Sequence, residues 1–356
     1  MSEHFQPPPF HPDRPSLVAP VRLDPTGRNG PTRVQVRGKG WRQASHGLHL
    51  PADVDSTVVE QRIVEVAARI PPGRGVITGW AALRWLGARW FDGGTASDPC
   101  GLPVMVATIH KLHQAPGMKT CREGYGPSDV IVVDGLPITV PVRSVAFEMR
   151  YAATVRDAVR AFDMAAYDDL VSRDELIAYA GLAPRTGLSS WTGMPQCRKA
   201  TLLGDENAWS PQEVAMRMVW ELNAGLSRPL TNVPIFDLRG NHIGTPDLLD
   251  PVAGLLGEYD GPLHLEGSRR AGDIRREEAF RDVGLECVTA MAGDTGDRSR
   301  LAARIIAARG RALWLPEEQR QWTIQPPAWW IPTRTVAQRR ALTEAQRERL
   351  LRYRVA

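Results

Sequence analysis

The stretch Gly244 to His264 reads GTPDLLDPVAGLLGEYDGPLH, and its reading decides the fold. Two short apolar runs, LLD and LLGEYD, flank the loop Pro251-Val252-Ala253-Gly254, which is the pattern of a β-hairpin. If Asp250 faces Leu255, then Leu248 faces Gly257 and Asp247 faces Glu258. Side chains alternate along a strand, so Asp247, Glu258 and Asp260 project from one face, together with Leu249 and Leu256. Directly opposed side chains have Cβ atoms roughly 4.5–5.5 Å apart, and like charges placed so repel. A bound cation, a neighbouring arginine or a raised pKa on one acid offsets such repulsion. Hard divalent cations take carboxylate oxygens on a rigid frame. A solvated acidic patch on a hairpin accounts for the same residues without a metal.

Around the hairpin the pattern continues. Ser210-Pro211-Gln212-Glu213 opens a helix with a serine cap, proline at the first helical position and glutamate three residues after the cap. Val214, Met218 and Leu222 recur every four residues along one side of it. That capping box explains Glu213 without any site role. TNVPIFDL, HIGTPDLLD and LLGEYDG follow as a three-stranded meander, then DIRREEAFRDVG as a helix and LECVTAM as a strand. The order is α-β-β-β-α-β, and a long helix, DRSRLAARIIAARGRALWL, closes it. The fold class expected for the chain is mixed α/β.

Upstream, residues 1–28 are Pro-rich and read as a disordered arm. Residues 29–185 read as a separate α/β unit. It holds the hairpin WRQASHGLHLP, a helix capped by Ser56 or Thr57 and stopped at Pro71-Pro72, and a second helix capped by Thr78. Strands DVIVV and LPITV meet at the turn Asp134-Gly135, and further helices end in SRDELIAYAG with its capping box, Ser172 to Glu175. Residues 186–204 read as a linker, 205–315 as the second unit, and 316–356 as a basic Trp/Arg-rich tail, with seven Arg against two Glu from Arg334 onward.

The chain has 356 residues, a formal charge of +4 and eleven Trp. Its basicity is arginine, for only Lys39, Lys111, Lys119 and Lys199 are lysines. Arginine forks bind phosphate and guanine bidentately, which leans toward nucleic acid; arginine for lysine throughout a GC-rich genome gives the same composition. Cys100, Cys121, Cys197 and Cys287 lie far apart with no CxxC pair, so a zinc site is not expected and the thiols read as reduced and cytoplasmic. The N-terminus does not read as a signal peptide, and no apolar run approaches the roughly 18 residues of a membrane span.

The motif order resembles the PD-(D/E)xK nuclease superfamily, and the Gly244–His264 stretch with the following Arg-rich helix is similar to its Vsr-like (very-short-patch-repair) endonuclease branch, over about residues 205–310. That resemblance implies a restriction-endonuclease-like fold. It implies Mg²⁺ or Mn²⁺ held by Asp247 and Glu258, with Asp260 where the superfamily carries its usual lysine and Glu213 touching the metal or its water. It implies His264 as base or orienter of the attacking water, and Arg269, Arg270, Arg275 and Arg276 on the DNA backbone. The lysine is absent, and Gly257 stands where a β-branched residue is usual. GWRQASHGLHLPA, VITGWAALRWLG and DVIVVDGLPITVPVRSVAFEM resemble the AbiEi-type antitoxins, which implies a winged-helix-like first unit. Together the resemblances imply a Mg²⁺-dependent DNA endonuclease in a phage-defence or toxin–antitoxin setting, with DNA and a cognate toxin or defence partner. The alternative they leave open is a non-enzymatic, antitoxin-like DNA-binding regulator. A third reading is an interaction module whose acids make salt bridges.

Overall fold

The computed structural model describes residues 5–95, 97–181, 191–260 and 267–354, the side chains of 267–274 and of 295 excepted. It is a mixed α/β structure in two compact units that divide between Tyr151 and Ala152.

In the first unit β1 (Pro9–His11) and β2 (Arg14–Val18) form one hairpin, β3 (Trp41–Ser45) and β4 (Leu48–Pro51) another. Helix α1 (Val59–Ala67) leads to β5 (Val76–Thr78) and α2 (Trp80–Trp85). Then follow β6 (Val104–Ala107), β7 (Met118–Cys121), β8 (Val130–Val133), β9 (Leu136–Thr139) and α3 (Pro141–Tyr151). The central sheet runs β7-β6-β5-β9-β8. Asp134 and Gly135 take the left-handed φ of 45° and 75° that a tight hairpin turn needs, as expected.

Three expectations fail here. The arm is ordered from Phe5 onward: Leu17 is buried, and the Gln61 amide both receives Val18 N–H (3.0 Å) and donates to its carbonyl (2.9 Å). Arg14 lies over the Trp85 ring at 3.9 Å. Neither Ser56 nor Thr57 caps α1, because Asp55 takes up Thr57 and the N-cap is Val58. Thr78 ends a strand and receives the Thr139 hydroxyl, while Glu148 Oε1 accepts Trp80 N–H at the start of α2.

The second unit begins with α4 (Val155–Tyr167), α5 (Arg173–Gly181), α6 (Met194–Leu203) and α7 (Pro211–Leu222). Strands β10 (Leu230–Thr231), β11 (Ile235–Asp237), β12 (His242–Gly244), β13 (Leu248–Asp250) and β14 (Leu255–Asp260) follow. Then come α8 (Gly267–Asp282), β15 (Glu286–Met291), α9 (Arg298–Arg311), β16 (Trp322–Thr323), α10 (Val336–Arg340) and α11 (Glu344–Leu350). The main sheet is β10-β13-β14-β15, with β14 and β15 parallel and the other pairs antiparallel. Across the hairpin Leu248 faces Gly257, Leu249 faces Leu256 and Asp250 faces Leu255, the register expected from the loop.

Alternation along those strands makes three layers. Leu248, Leu255 and Val288 pack with Met216 and Trp220 of α7 and Leu301 and Ile305 of α9. Leu249 and Leu256 pack on the opposite face with Phe280 of α8 and with Ile235 and Trp322 of the small sheet β12-β11-β16. Each fully buried side chain of this size contributes about 1.5–3 kcal/mol. Gly257 lies beneath α7: a Cβ there would stand 2.8 Å from the Met216 methyl and 3.2 Å from Leu248 Cβ. The glycine makes room for a helix.

The boundary expected near residue 185 falls at 151 because α4 and α6 belong to the second core. Phe162, Cys197 and Ala200 are fully buried, and Arg217 of α7, itself buried, donates to Asp163 Oδ2 (2.5 Å), Glu221 Oε1 (2.9 Å) and the Leu203 carbonyl (2.5 Å). The expected linker therefore contains a packed helix, and residues 182–190 lie outside the described residues. The basic tail is built in as well. Trp322 and Thr323 pair with β11, and Arg339 (2.6 Å), Arg347 (2.8 Å) and Arg354 (2.9 Å) converge on the Asp169 carboxylate. Burial raises that carboxyl's pKa, but the hydrogen bonds and charges of Arg354 and Arg339 outweigh it and hold it below the usual range. Asp169→Asn keeps a residue tolerant of the local φ of 59° and removes the charge. Breaking a buried ion pair this way is expected to destabilise the unit by about 3 kcal/mol, read as a lowered urea midpoint at unchanged slope.

Candidate functional site

Helix α7 starts where the Ser210 hydroxyl receives Glu213 N–H at 3.2 Å, half of the expected capping box. The other half is absent. Glu213 Oε2 instead accepts Trp209 N–H (2.8 Å) and the Asn232 side-chain N–H (2.7 Å), and the side chain is buried. Burial first, then the charge of Asp247, push this carboxyl up to about 8. The acid at the helix start and the acid before β13 are thus electrostatic neighbours.

Asp247 reaches across the hairpin, where its Oδ2 receives Tyr259 N–H at 2.6 Å, beside Glu258. Glu258 Oε2 receives the Arg276 guanidinium at 3.3 Å. The Arg276 stem lies over Gly244, where a Cβ would stand 3.2 Å from its Cγ and Cδ. The repulsion that the hairpin geometry demands be offset is met by an arginine at Glu258, and that between Asp247 and Glu213 by a raised pKa at Glu213. Asp260 is exposed at the end of β14, where its charge, after burial and together with that of Asp294, pushes the Tyr259 phenol up. Arg275 is exposed on α8; Arg269 and Arg270 lie on that helix with side chains outside the described residues, and His264 lies outside them altogether.

Mg²⁺ is commonly held by one or two carboxylates plus water and substrate oxygens. Asp247 and Glu258 fit that set, provided Arg276 yields its place. A third ligand does not stand ready. Among the described residues, the group of three with ligand atoms within 4.8 Å of one another is His11, Asp13 and Asp134 in the first unit, not Glu213, Asp247 and Glu258. In that first-unit group Asp134 is already held by Arg14 at 2.7 Å. Cys287 offers no soft ligand near Glu258, since burial and the charges of Glu277 and Glu258 push its thiol up to about 12. A cavity of about 600 Å³ in the second unit is lined by Arg173, Asn207, Arg228, Thr231 and Arg334, among others, and by none of the three acids.

Sequence reasoning missed Trp209 and Asn232 as partners of Glu213. Asn232 carried a signal: an asparagine just past a strand and before Val-Pro is a residue type that tolerates left-handed backbone, and its φ is 48°.

Among the described residues no helix is long and apolar enough to cross a membrane. No protein-family profile, no curated protein and no solved structure matches this chain.

Glu213 yields a pH prediction for the metal-free protein. Its carboxyl ionises near 4.5 when unfolded and near 8 when folded, so the folded state binds the extra proton and stability falls as pH climbs through that window. Glu213→Gln removes the titration. In EDTA, the variant and the parent are expected to show the same Tm shift at pH 4 and to diverge by pH 8.5, the variant being the more stable; parallel profiles would contradict the assignment.

Proposed function

We propose that the second unit is a Mg²⁺- or Mn²⁺-dependent DNA endonuclease of the PD-(D/E)xK type, similar to the Vsr-like branch. The observation that carries this reading is the placement of Asp247 on Tyr259 N–H beside Glu258, with the buried Glu213 carboxyl as its neighbour, on the four-stranded sheet β10-β13-β14-β15. Asp247 and Glu258 would hold the cation, whose chemistry when bound would be to activate a water and to neutralise charge on the phosphate. Glu213 holds a proton or a water at the same end of the sheet. Arg275 and Arg276 bind backbone phosphate, and Arg276 would have to leave Glu258 for a cation to be held there. His264, Arg269 and Arg270 keep the roles the resemblance implies. The first unit is read as antitoxin-like, and the phage-defence or toxin–antitoxin setting, with a cognate partner, rests on that resemblance.

One observation favours the second reading, a DNA-binding regulator without catalysis. Arg276 already pairs with Glu258 Oε2 at 3.3 Å, the contact that a retained fold with lost chemistry would keep.

The test is plasmid cleavage with Mg²⁺ and with Mn²⁺. Wild type is expected to nick or cut, and Asp247→Ala and Glu258→Ala to lose at least about 100-fold in rate, or roughly 2.7 kcal/mol of transition-state stabilisation. Equal cutting by all three proteins means contamination and sinks the reading. No cutting, with a gel shift that weakens steeply with salt, selects the regulator.

A further inference from the structure

Asn232 touches both elements that carry the acids. It leaves β10 with a φ of 48°, and the residue is only 2% exposed. Its backbone N–H donates to the Asp247 carbonyl at 3.0 Å. Its side-chain Nδ2 donates to Glu213 Oε2 and to the Asn207 carbonyl, both at 2.7 Å. An amide nitrogen has two hydrogens, and both are spent.

The tie is returned from the other side. Asn207 Nδ2 donates to the carbonyls of Thr231 (2.8 Å) and Asn232 (3.0 Å), and Asn207 Oδ1 receives the Trp209 indole at 3.3 Å. Trp209 N–H in turn donates to Glu213 Oε2 at 2.8 Å. The result is a closed ring through Asn207, Asn232, Glu213 and Trp209, connected outward through the Asn232 backbone to Asp247 and through Asn207 to Asp205.

We propose that Asn232 is a positioning residue of the acidic site: its backbone sets Asp247, its side chain sets Glu213, and the ring around it fixes the distance between the two. This rests on the metal-dependent reading of that site. The residue type follows from the demands made on it. The left-handed backbone favours Asn, Asp or Gly. The second carbonyl and the carboxylate require two donors, which Asp and Gly lack. Every side-chain N–H of Asn207 and Asn232 is used, while Asn232 Oδ1 is buried without a partner among the described residues; a buried network of this kind holds its members in one arrangement. Partners of this kind, which orient metal-holding carboxylates without touching the metal, typically cost 10–100-fold in affinity when removed.

The test uses the full chain and Mn²⁺ alone as probe. Asn232→Gly keeps the backbone and deletes the side chain; Asn232→Asp keeps size and backbone but places a carboxylate against Glu213. Circular dichroism and Tm report folding, titration with Mn²⁺ reports affinity, and plasmid cleavage reports kcat and KM. Both variants are expected to raise the Mn²⁺ dissociation constant about 10–100-fold, and to lower kcat with KM for DNA unchanged, at temperatures where both are folded. Should Asn232→Gly lower Tm while Mn²⁺ affinity and kcat stay at wild type, the residue is structural only and the proposal is wrong. A wild type that binds no Mn²⁺, indistinguishable from Asp247→Asn, overturns the metal-dependent reading and this proposal with it. The two failures are told apart by the wild-type titration.

Discussion

The second unit must keep three carboxylates near one another without letting their charges push it apart. Asp247 stands before β13, Glu258 lies on β14, and Glu213 is buried on the first turn of α7 and feels the charge of Asp247. Opposed like charges destabilise a sheet and buried ones cost several kcal/mol. The structure answers each charge separately. Arg276 faces Glu258, Tyr259 N–H faces Asp247, and Glu213 is turned onto two N–H donors in a pocket where the neutral form is favoured. The packing then serves this arrangement. Gly257 lets Met216 and Leu248 meet over the strand, which brings α7, and Glu213 with it, against the sheet.

The same logic separates arginines that build the unit from those left for a partner. Arg217 is buried in a network with Asp163 and Glu221, and Arg339, Arg347 and Arg354 are spent on Asp169. Their guanidinium groups are engaged with acids of the same chain and are not free to grip DNA. Arg275 lies exposed on α8, and Arg276 stands 41% exposed at its side chain. Net charge is thus a poor guide to a binding face here, because much of the basic excess in the tail is consumed internally.

What was legible in the sequence was what depends on local rules. The hairpin register followed from one loop and the alternation of side chains, and it placed Leu249 and Leu256 on the face of the acids. The Asp134-Gly135 turn and the Ser172 and Ser210 caps followed from residue types with few other uses. The misses depend on distant partners. Thr78 looked like a helix cap, but Thr139, far along the chain, fixes it in a strand. Glu213 looked like half of a capping box, but Trp209 and Asn232 compete for its carboxylate more effectively than the Ser210 backbone does. The Pro-rich arm looked unstructured because its order comes from Gln61 and Trp85, residues that carry no mark of it in sequence.

The central claim is that Asp247 and Glu258 together hold a divalent cation. A crystal soaked in Mn²⁺ and measured for anomalous scattering tests it most directly. The account predicts a peak about 2.0–2.6 Å from carboxylate oxygens of both residues, with Arg276 swung away from Glu258. No peak there, or a peak confined to His11, Asp13 and Asp134, would contradict it.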